Sequence, residues 1–338
     1  MIKYNVLLLL KKTRRKSSLF VKSFISLFND DCFFHREEKN LQQKYSMIKS
    51  ESLHQTSIVV MIDGRFIHGG LTDRLKGICT IYHYCKSRNI PFYIYHVYPF
   101  RLETFLKPKE YDWHIDDDEI DMNYYHSSVV LLNDWQFHPF FHKAYLDRII
   151  SKNQGKQIHL YTNSPYYEKS YGEDYNLLFK CSDSLQEKID TSMRLMGNKP
   201  YVAMVFRFQQ LLGDFEERGY PKLDESGKSN LIKRCERKVL ELRSDNFANR
   251  PVLITSDSAT FMQYMQKYDF VFTLPGSVVH MDYTDNALED VYMKSFVDMY
   301  MISEAEKIYL LVTGDMYPSG FPKYAARLNN KPFYKIIF

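Results

Sequence analysis

From residue 57 onward, apolar positions along the chain follow two alternating rhythms. Short segments rich in apolar residues at Ile58 to Asp63, Phe92 to Val97, Ser128 to Asn133 and Ile158 to Thr162 read as strands. Between them, Leu71 to Arg88 and Phe140 to Ser151 place apolar residues at helical spacing. A helical pattern over Leu185 to Met196 stops at Gly197, ahead of Pro200, and a second series begins. Its strands are Tyr201 to Phe206, Val252 to Ser256, Phe270 to Leu274, Ile308 to Val312 and Phe333 to Ile337. Its helices are Leu231 to Leu242, Ala259 to Lys267, Asp290 to Ala305 and Phe321 to Leu328. Strands separated by helices predict parallel sheets with helices on their faces, an α/β class.

Length turns this pattern into a domain count. A single core stops growing beyond roughly 250 to 300 residues, and this chain has 338. Two α/β lobes are expected, at 51–197 and 198–338, preceded by a distinct stretch at 1–50. Ligands in such sheets bind outside the carboxyl ends of the strands. In the first stretch Lys11-Lys12-Thr13-Arg14-Arg15-Lys16 precedes Phe20, Phe24 and Phe28 at helical spacing. That pattern suits peripheral contact of residues 1–30 with an anionic membrane, and equally a helix packed on the body with its charges in water.

A net charge of +4, with no basic stripe in the lobes, excludes a nucleic-acid reading and leaves room for a small anionic ligand. The 27 Tyr and 24 Phe suit aromatic clefts that take sugars, or simply a ring-rich core. The five cysteines, Cys32, Cys79, Cys85, Cys181 and Cys235, are scattered and never spaced C-x-x-C, so neither a disulfide framework nor a zinc site is indicated. A cytoplasmic protein fits this usage. No apolar run approaches the roughly 20 residues that span a bilayer, and Val6 to Leu10 is short for a signal peptide.

Candidate chemistry gathers where strands give way to helices. His68-Gly69-Gly70-Leu71-Thr72-Asp73-Arg74-Leu75 sets a glycine turn against a helix N-terminus, a place where unpaired N–H groups can meet a phosphate. A plain connection with a surface Asp73–Arg74 pair explains the same letters. Arg207 follows the first strand of the second series, where a guanidinium can hold a diphosphate bidentately, or serve only as a surface charge. Asp257, in Thr255-Ser256-Asp257-Ser258, is either a helix cap or a carboxylate able to accept from the two adjacent donors of guanine. Thr313-Gly314-Asp315 through Pro318-Ser319-Gly320-Phe321 again offers hydroxyls and glycines before a helix.

Together these four stretches resemble the GDP-fucose-dependent fucosyltransferases of GT-B fold, the α-1,2, α-1,6 and protein O-fucosyltransferases, over roughly residues 57 to 75 and 200 to 330. His68 to Leu75 is similar to the family's first-lobe glycine turn, Val205-Phe206-Arg207 to its His-x-Arg motif and Thr255-Ser256-Asp257 to its second motif. Asp298 to Ala305, continued through Ser319-Gly320-Phe321, is similar to its third. The resemblance implies two Rossmann-like lobes facing each other across a cleft, and a metal-independent, inverting transfer of L-fucose from GDP-fucose to a glycan. A bacterial surface polysaccharide is the expected setting. It implies that Arg207 holds the β-phosphate and is catalytic, that Asp257 reads guanine, that Ser319 and Gly320 bind phosphate, and that Gly69, Gly70 and Arg74 close the donor site. Val205 stands where the family has histidine, which opens the donor to another nucleotide sugar.

For the base that takes the acceptor proton, Asp214, Glu216 and Glu217 follow Arg207, and Asp214 is chosen, with a turn-capping role as the alternative. His114-Ile115-Asp116-Asp117-Asp118 has the letters of an Asp-x-Asp metal motif, and an acidic solvent loop explains it more simply. A nucleotide- or glycan-binding protein without catalysis is the competing class.

Overall fold

A computed structural model describes residues 17–28, 33–50, 55–133, 137–214, 222–276, 281 and 289–338, with backbone alone at 33–36 and 289. The basic run at 11–16, Cys32, Glu216 and Glu217 lie outside the described residues. The chain forms two compact units. One holds the described residues up to Arg101 together with Pro108–Leu178, and the other holds Leu102–Lys107 with Phe179–Phe338.

The first unit is built on a parallel sheet of β1 (Ser57–Ile62), β2 (Phe92–His96), β4 (Ser127–Leu131) and β5 (Gln157–Tyr161), in the order β2-β1-β5-β4. The short β3 (Leu106–Pro108) pairs instead with β6 (Phe179–Cys181). Every residue of β1 is buried, as its unbroken apolar run requires for a strand covered on both faces. Helices α3 (Leu71–Lys86), α4 (His142–Lys152) and α5 (Tyr171–Leu178) follow the strands. α3 comes close enough to the end of β5 that a Cβ on Gly77 would sit 2.4 Å from the Thr162 carbonyl oxygen, so only glycine fits there.

Residues 17–50 belong to this unit and are not a separate appendage. Helix α1 (17–26) and helix α2 (Phe33–Gln42) precede the sheet. α2 covers the edge strand β4: Glu38 Oε1 accepts from the Leu131 N–H at 2.8 Å, and the Gln42 side-chain amide donates to the Ser127 carbonyl at 2.9 Å. These side chains satisfy polar groups that an open sheet edge would leave to water.

The second unit carries a five-stranded parallel sheet of β7 (Val202–Phe206), β8 (Val252–Ser256), β9 (Val271–Thr273), β10 (Lys307–Val312) and β11 (Phe333–Ile337), ordered β11-β10-β7-β8-β9. Its core joins Val202, Met204, Phe206, Ile254 and Leu310 from the sheet to Cys235 and Val239 of α7 (Glu225–Asn246) and to Phe261 of α8 (Ala259–Met265). α7 starts earlier than its apolar spacing alone predicts, because Asp224 accepts from the Gly227 N–H at 2.7 Å and caps it. α6 (Asp183–Leu195) packs against α9 (Glu289–Glu304), so the units divide after Leu178, whereas the sequence pattern suggested 197. Gly197, with φ +72°, ends the helix and not the lobe.

Candidate functional site

Strand order decides where a ligand meets each sheet. From β7 the second sheet runs one way through β8 and β9, then returns to the other side of β7 with β10 and β11. The carboxyl ends of β7 and β10 therefore flank a topological switch point, the usual ligand position in an open α/β sheet. Arg207 leaves the end of β7, and the 313–320 loop leaves the end of β10 before helix α10 (Phe321–Leu328). The Tyr317 N–H donates to the Arg207 carbonyl at 3.1 Å and joins the two. In that loop Ser319 Oγ accepts from the Phe321 N–H at 3.2 Å, and Gly320 is the residue that caps α10. Arg207, Ser319 and Gly320, expected as diphosphate ligands, thus belong to adjoining segments at one sheet end.

Asp257 sits at the end of β8 and faces into its own unit. Its Oδ1 accepts from the Phe208 N–H at 2.8 Å, its Oδ2 accepts from the Gln209 N–H at 2.7 Å, and Arg207 Nη1 lies 3.3 Å from Oδ2. Gln209 takes a left-handed backbone, φ +54°, which these bonds help to hold. Burial raises the Asp257 carboxyl above the ordinary range, and the Arg207 charge opposes the rise. A guanine donor would share carboxylate oxygens that already accept the bonds shaping the Arg207 loop. Arg207 itself keeps 21% of its side chain exposed.

Asp214 is likewise engaged. It accepts from the Ser258 hydroxyl, from the Thr260 hydroxyl at 2.7 Å and from the Thr260 N–H at 3.3 Å. Ser258 Oγ in turn accepts from the Phe261 N–H at 3.1 Å, so Asp214 extends the cap of α8. In the third motif, Asp298 and Lys294 form a buried ion pair within α9, and burial raises the Asp298 carboxyl against the pull of Lys294. Asn329 donates to Ser303 Oγ at 3.2 Å. These motif residues act inside the protein.

In the first unit β1 and β5 are the two central strands, and the glycine turn lies just beyond β1. Gly69 has φ +90°, and a Cβ there would meet Asp73 Oδ2 at 2.6 Å. Asp73 Oδ2 accepts from the Gly70 N–H at 3.3 Å, and its Oδ1 pairs with Lys76 at 2.5 Å. A carboxylate thus already covers the first turn of α3, where a phosphate was expected. Arg74 is no surface charge: at 1% exposure, its Nε donates to the Gly69 carbonyl at 3.1 Å and its Nη1 to the Tyr98 carbonyl at 2.7 Å. It fixes the turn from below. Burial, then the Arg74 charge, lowers His68 to about 3, and the same causes hold the buried His96 well below its ordinary value.

Asp63, the residue after β1, escaped the sequence reading. Its Oδ2 accepts from the Tyr161 hydroxyl at 3.0 Å, between the ends of the neighbouring strands β1 and β5, and Arg65 Nε lies 3.5 Å away. A carboxylate directly after a buried strand was the available signal. The acidic stretch near residue 116 forms local surface contacts: Arg101 pairs with Asp117 at 2.5 Å, and His114 with Asp116 at 3.1 Å. Among the described residues no group of three His, Cys, Asp or Glu is placed to hold a metal ion, and Cys79, Cys85, Cys181 and Cys235 are free thiols.

No protein-family model matches the sequence, and no curated protein matches it. Solved structures do match in shape. The NodZ α-1,6-fucosyltransferase co-crystallised with GDP superposes with a TM-score of 0.53 at 12% identity, over 81% of this chain and 92% of that one. NodZ from Bradyrhizobium gives 0.52 at 11% identity, over 80% and 92% of the two chains. A variant of Arabidopsis thaliana FUT1 in complex with GDP gives 0.52 at 10%, over 96% and 78%. The chain has the fold of these fucosyltransferases. That is the GT-B-like α/β fold expected from the motifs.

Proposed function

We propose that the chain is an inverting glycosyltransferase that moves L-fucose from GDP-fucose to a glycan. The observation that carries the proposal is the pairing of Arg207 with the 313–320 loop at the switch point of the second sheet. The fold shared with fucosyltransferases, two of them solved with GDP, supports it. In this reading the acceptor oxygen bonds to the anomeric carbon as that carbon's bond to the β-phosphate oxygen breaks, GDP departs with the electron pair, and the acceptor proton passes to solvent. Arg207, steered by Asp257, meets the charge that grows on the β-phosphate, while the α10 N-terminus with Ser319 and Gly320 offers N–H and hydroxyl donors. No metal is needed for that neutralisation. Gly69, Gly70 and Arg74 belong to this reading through the shape of their own turn, which Arg74 holds by its bond to the Gly69 carbonyl. The finer setting, assembly of a bacterial surface polysaccharide, belongs to the same proposal.

A second reading keeps the fold and changes the donor. Val205, buried in β7, stands at the position of the family's histidine and offers no polar contact. Incubating the protein with a glycan panel and, separately, GDP-fucose, GDP-mannose or UDP-linked sugars, then analysing products by mass spectrometry, separates the readings. Fucosylated product from GDP-fucose alone supports the first, product from another donor supports the second, and no product from any donor counts against both.

A further inference from the structure

The segment 17–28 is inside-out. In a helix of a globular protein the bulky apolar residues face the body and the small polar ones face water. Here Ser23 and Ser26 are fully buried, whereas Val21 is 55% exposed, Phe24 48%, Ile25 47% and Phe28 73%. The serines are satisfied at the docking face: Ser23 Oγ accepts from the His138 N–H at 2.8 Å and donates to the Leu19 carbonyl at 2.7 Å, and Ser26 Oγ donates to the Lys22 carbonyl at 2.9 Å. The helix is thus held by its polar stripe, and its apolar stripe is left outward.

That stripe continues onto the first unit. Phe20 lies 4.7 Å from Phe141 and 5.9 Å from Phe140, centroid to centroid, and Phe24 lies 5.3 Å from Phe28 and 5.9 Å from Phe141. Phe140 is itself 70% exposed. Large exposed apolar patches mark places where another apolar phase docks. Charge says which one. No acidic residue precedes Asp30, whereas Lys3, Lys11, Lys12, Arg14, Arg15, Lys16 and Lys22 are all basic. In the sequence the run at 11–16 directly precedes α1. Aromatic rings beside clustered Lys and Arg are the chemistry that seats a helix in the headgroup region of an anionic bilayer.

We propose that α1, with Phe28 and Phe140, is a docking surface for an anionic lipid bilayer, which holds the protein at the membrane surface. This goes beyond the transfer reaction and does not depend on it. Each basic residue near an anionic surface contributes about fivefold to binding.

The test is flotation of the full chain with phosphatidylcholine vesicles, with and without phosphatidylserine. The intact protein should float only with the phosphatidylserine vesicles, and added salt should release it. Phe28→Ser together with Phe140→Ser should weaken binding about tenfold or more, and replacing the five basic residues at 11–16 with Gln should weaken it about a hundredfold or more. Both phenylalanines are largely in water, so the circular dichroism spectrum and thermal midpoint of the double variant should match those of the parent. The proposal is overturned if the protein ignores anionic vesicles, or if the variants bind as well as the parent. It is also overturned if light scattering finds a dimer that the double variant dissolves, because the face would then belong to a second copy of the chain.

Discussion

Replacing Asp257 tests whether this carboxylate builds the Arg207 loop or reads a base. Asp257→Ala would leave the buried N–H groups of Phe208 and Gln209 without their acceptors and Arg207 without its counter-charge. An unsatisfied buried donor costs about 1–3 kcal/mol. Arg207 is partly exposed, so water screens its share, and the two donors together cost about 2–6 kcal/mol of folding stability. Asp257→Asn keeps one acceptor and turns an NH2 group toward the other amide, for about 1–3 kcal/mol. Arg207→Ala should cost less than either, since both amides keep their acceptor. Urea unfolding of the three variants at neutral pH gives the order directly. If Asp257→Ala unfolds within about 1 kcal/mol of the parent while losing its preference for GDP, the carboxylate serves the ligand and the structural assignment fails.

Asp214→Ala should lower stability by about 1 kcal/mol through loss of the α8 cap, with turnover reduced only in proportion to lost loop order. A loss of about a hundredfold or more in turnover at unchanged stability would make Asp214 the catalytic base. Arg207→Ala should cut fucose transfer about a hundredfold or more, and Lys should rescue poorly because it lacks the bidentate fork; near-normal turnover in a folded Arg207→Ala protein would remove Arg207 from the mechanism. Stability should fall on acidification. His68 and His142 are lowered to about 3 and about 4 in the folded chain, whereas an unfolded histidine accepts a proton below about 6.5. Stability present above that pH is therefore lost as pH falls toward the folded values, by about 1.4 kcal/mol per histidine per pH unit. The raised carboxyls of Asp174 and Asp257 take up protons in the folded state and soften the slope. Unfolding midpoints in urea at about pH 7 and pH 5 check the sign; a chain equally stable at both would contradict it.

β1, β7 and β8 were legible because each is buried along its whole length and carries a run of consecutive apolar residues, a pattern that a doubly covered strand sustains. Strand order was not legible, because nothing local tells β7 that β10 will return beside it. The motif positions around Arg207 and the 313–320 loop were found, but their pairing was not. What side chains do at those positions was the harder part. Asp257, Asp214 and Arg74 all looked able to meet a ligand, and in the fold each one bonds backbone or hydroxyl groups that hold a loop or cap. The bonds from Asp257 to Phe208, Asp214 to Thr260 and Arg74 to Tyr98 join residues 49, 46 and 24 positions apart, outside the reach of any local pattern. The α1 face went the other way. Helical spacing gave its phenylalanines, but whether they faced the body or water depended on Ser23 meeting His138.

Calorimetric titration of the parent and of Arg207→Ala with GDP-fucose, GDP, UDP and ADP, in buffer containing EDTA, tests the central proposal most directly. GDP and GDP-fucose should bind the parent without metal, UDP and ADP should bind far more weakly, and Arg207→Ala should lose about tenfold or more of the GDP affinity. Absence of GDP binding by the folded parent, or binding that ignores both the base and Arg207, would contradict the account.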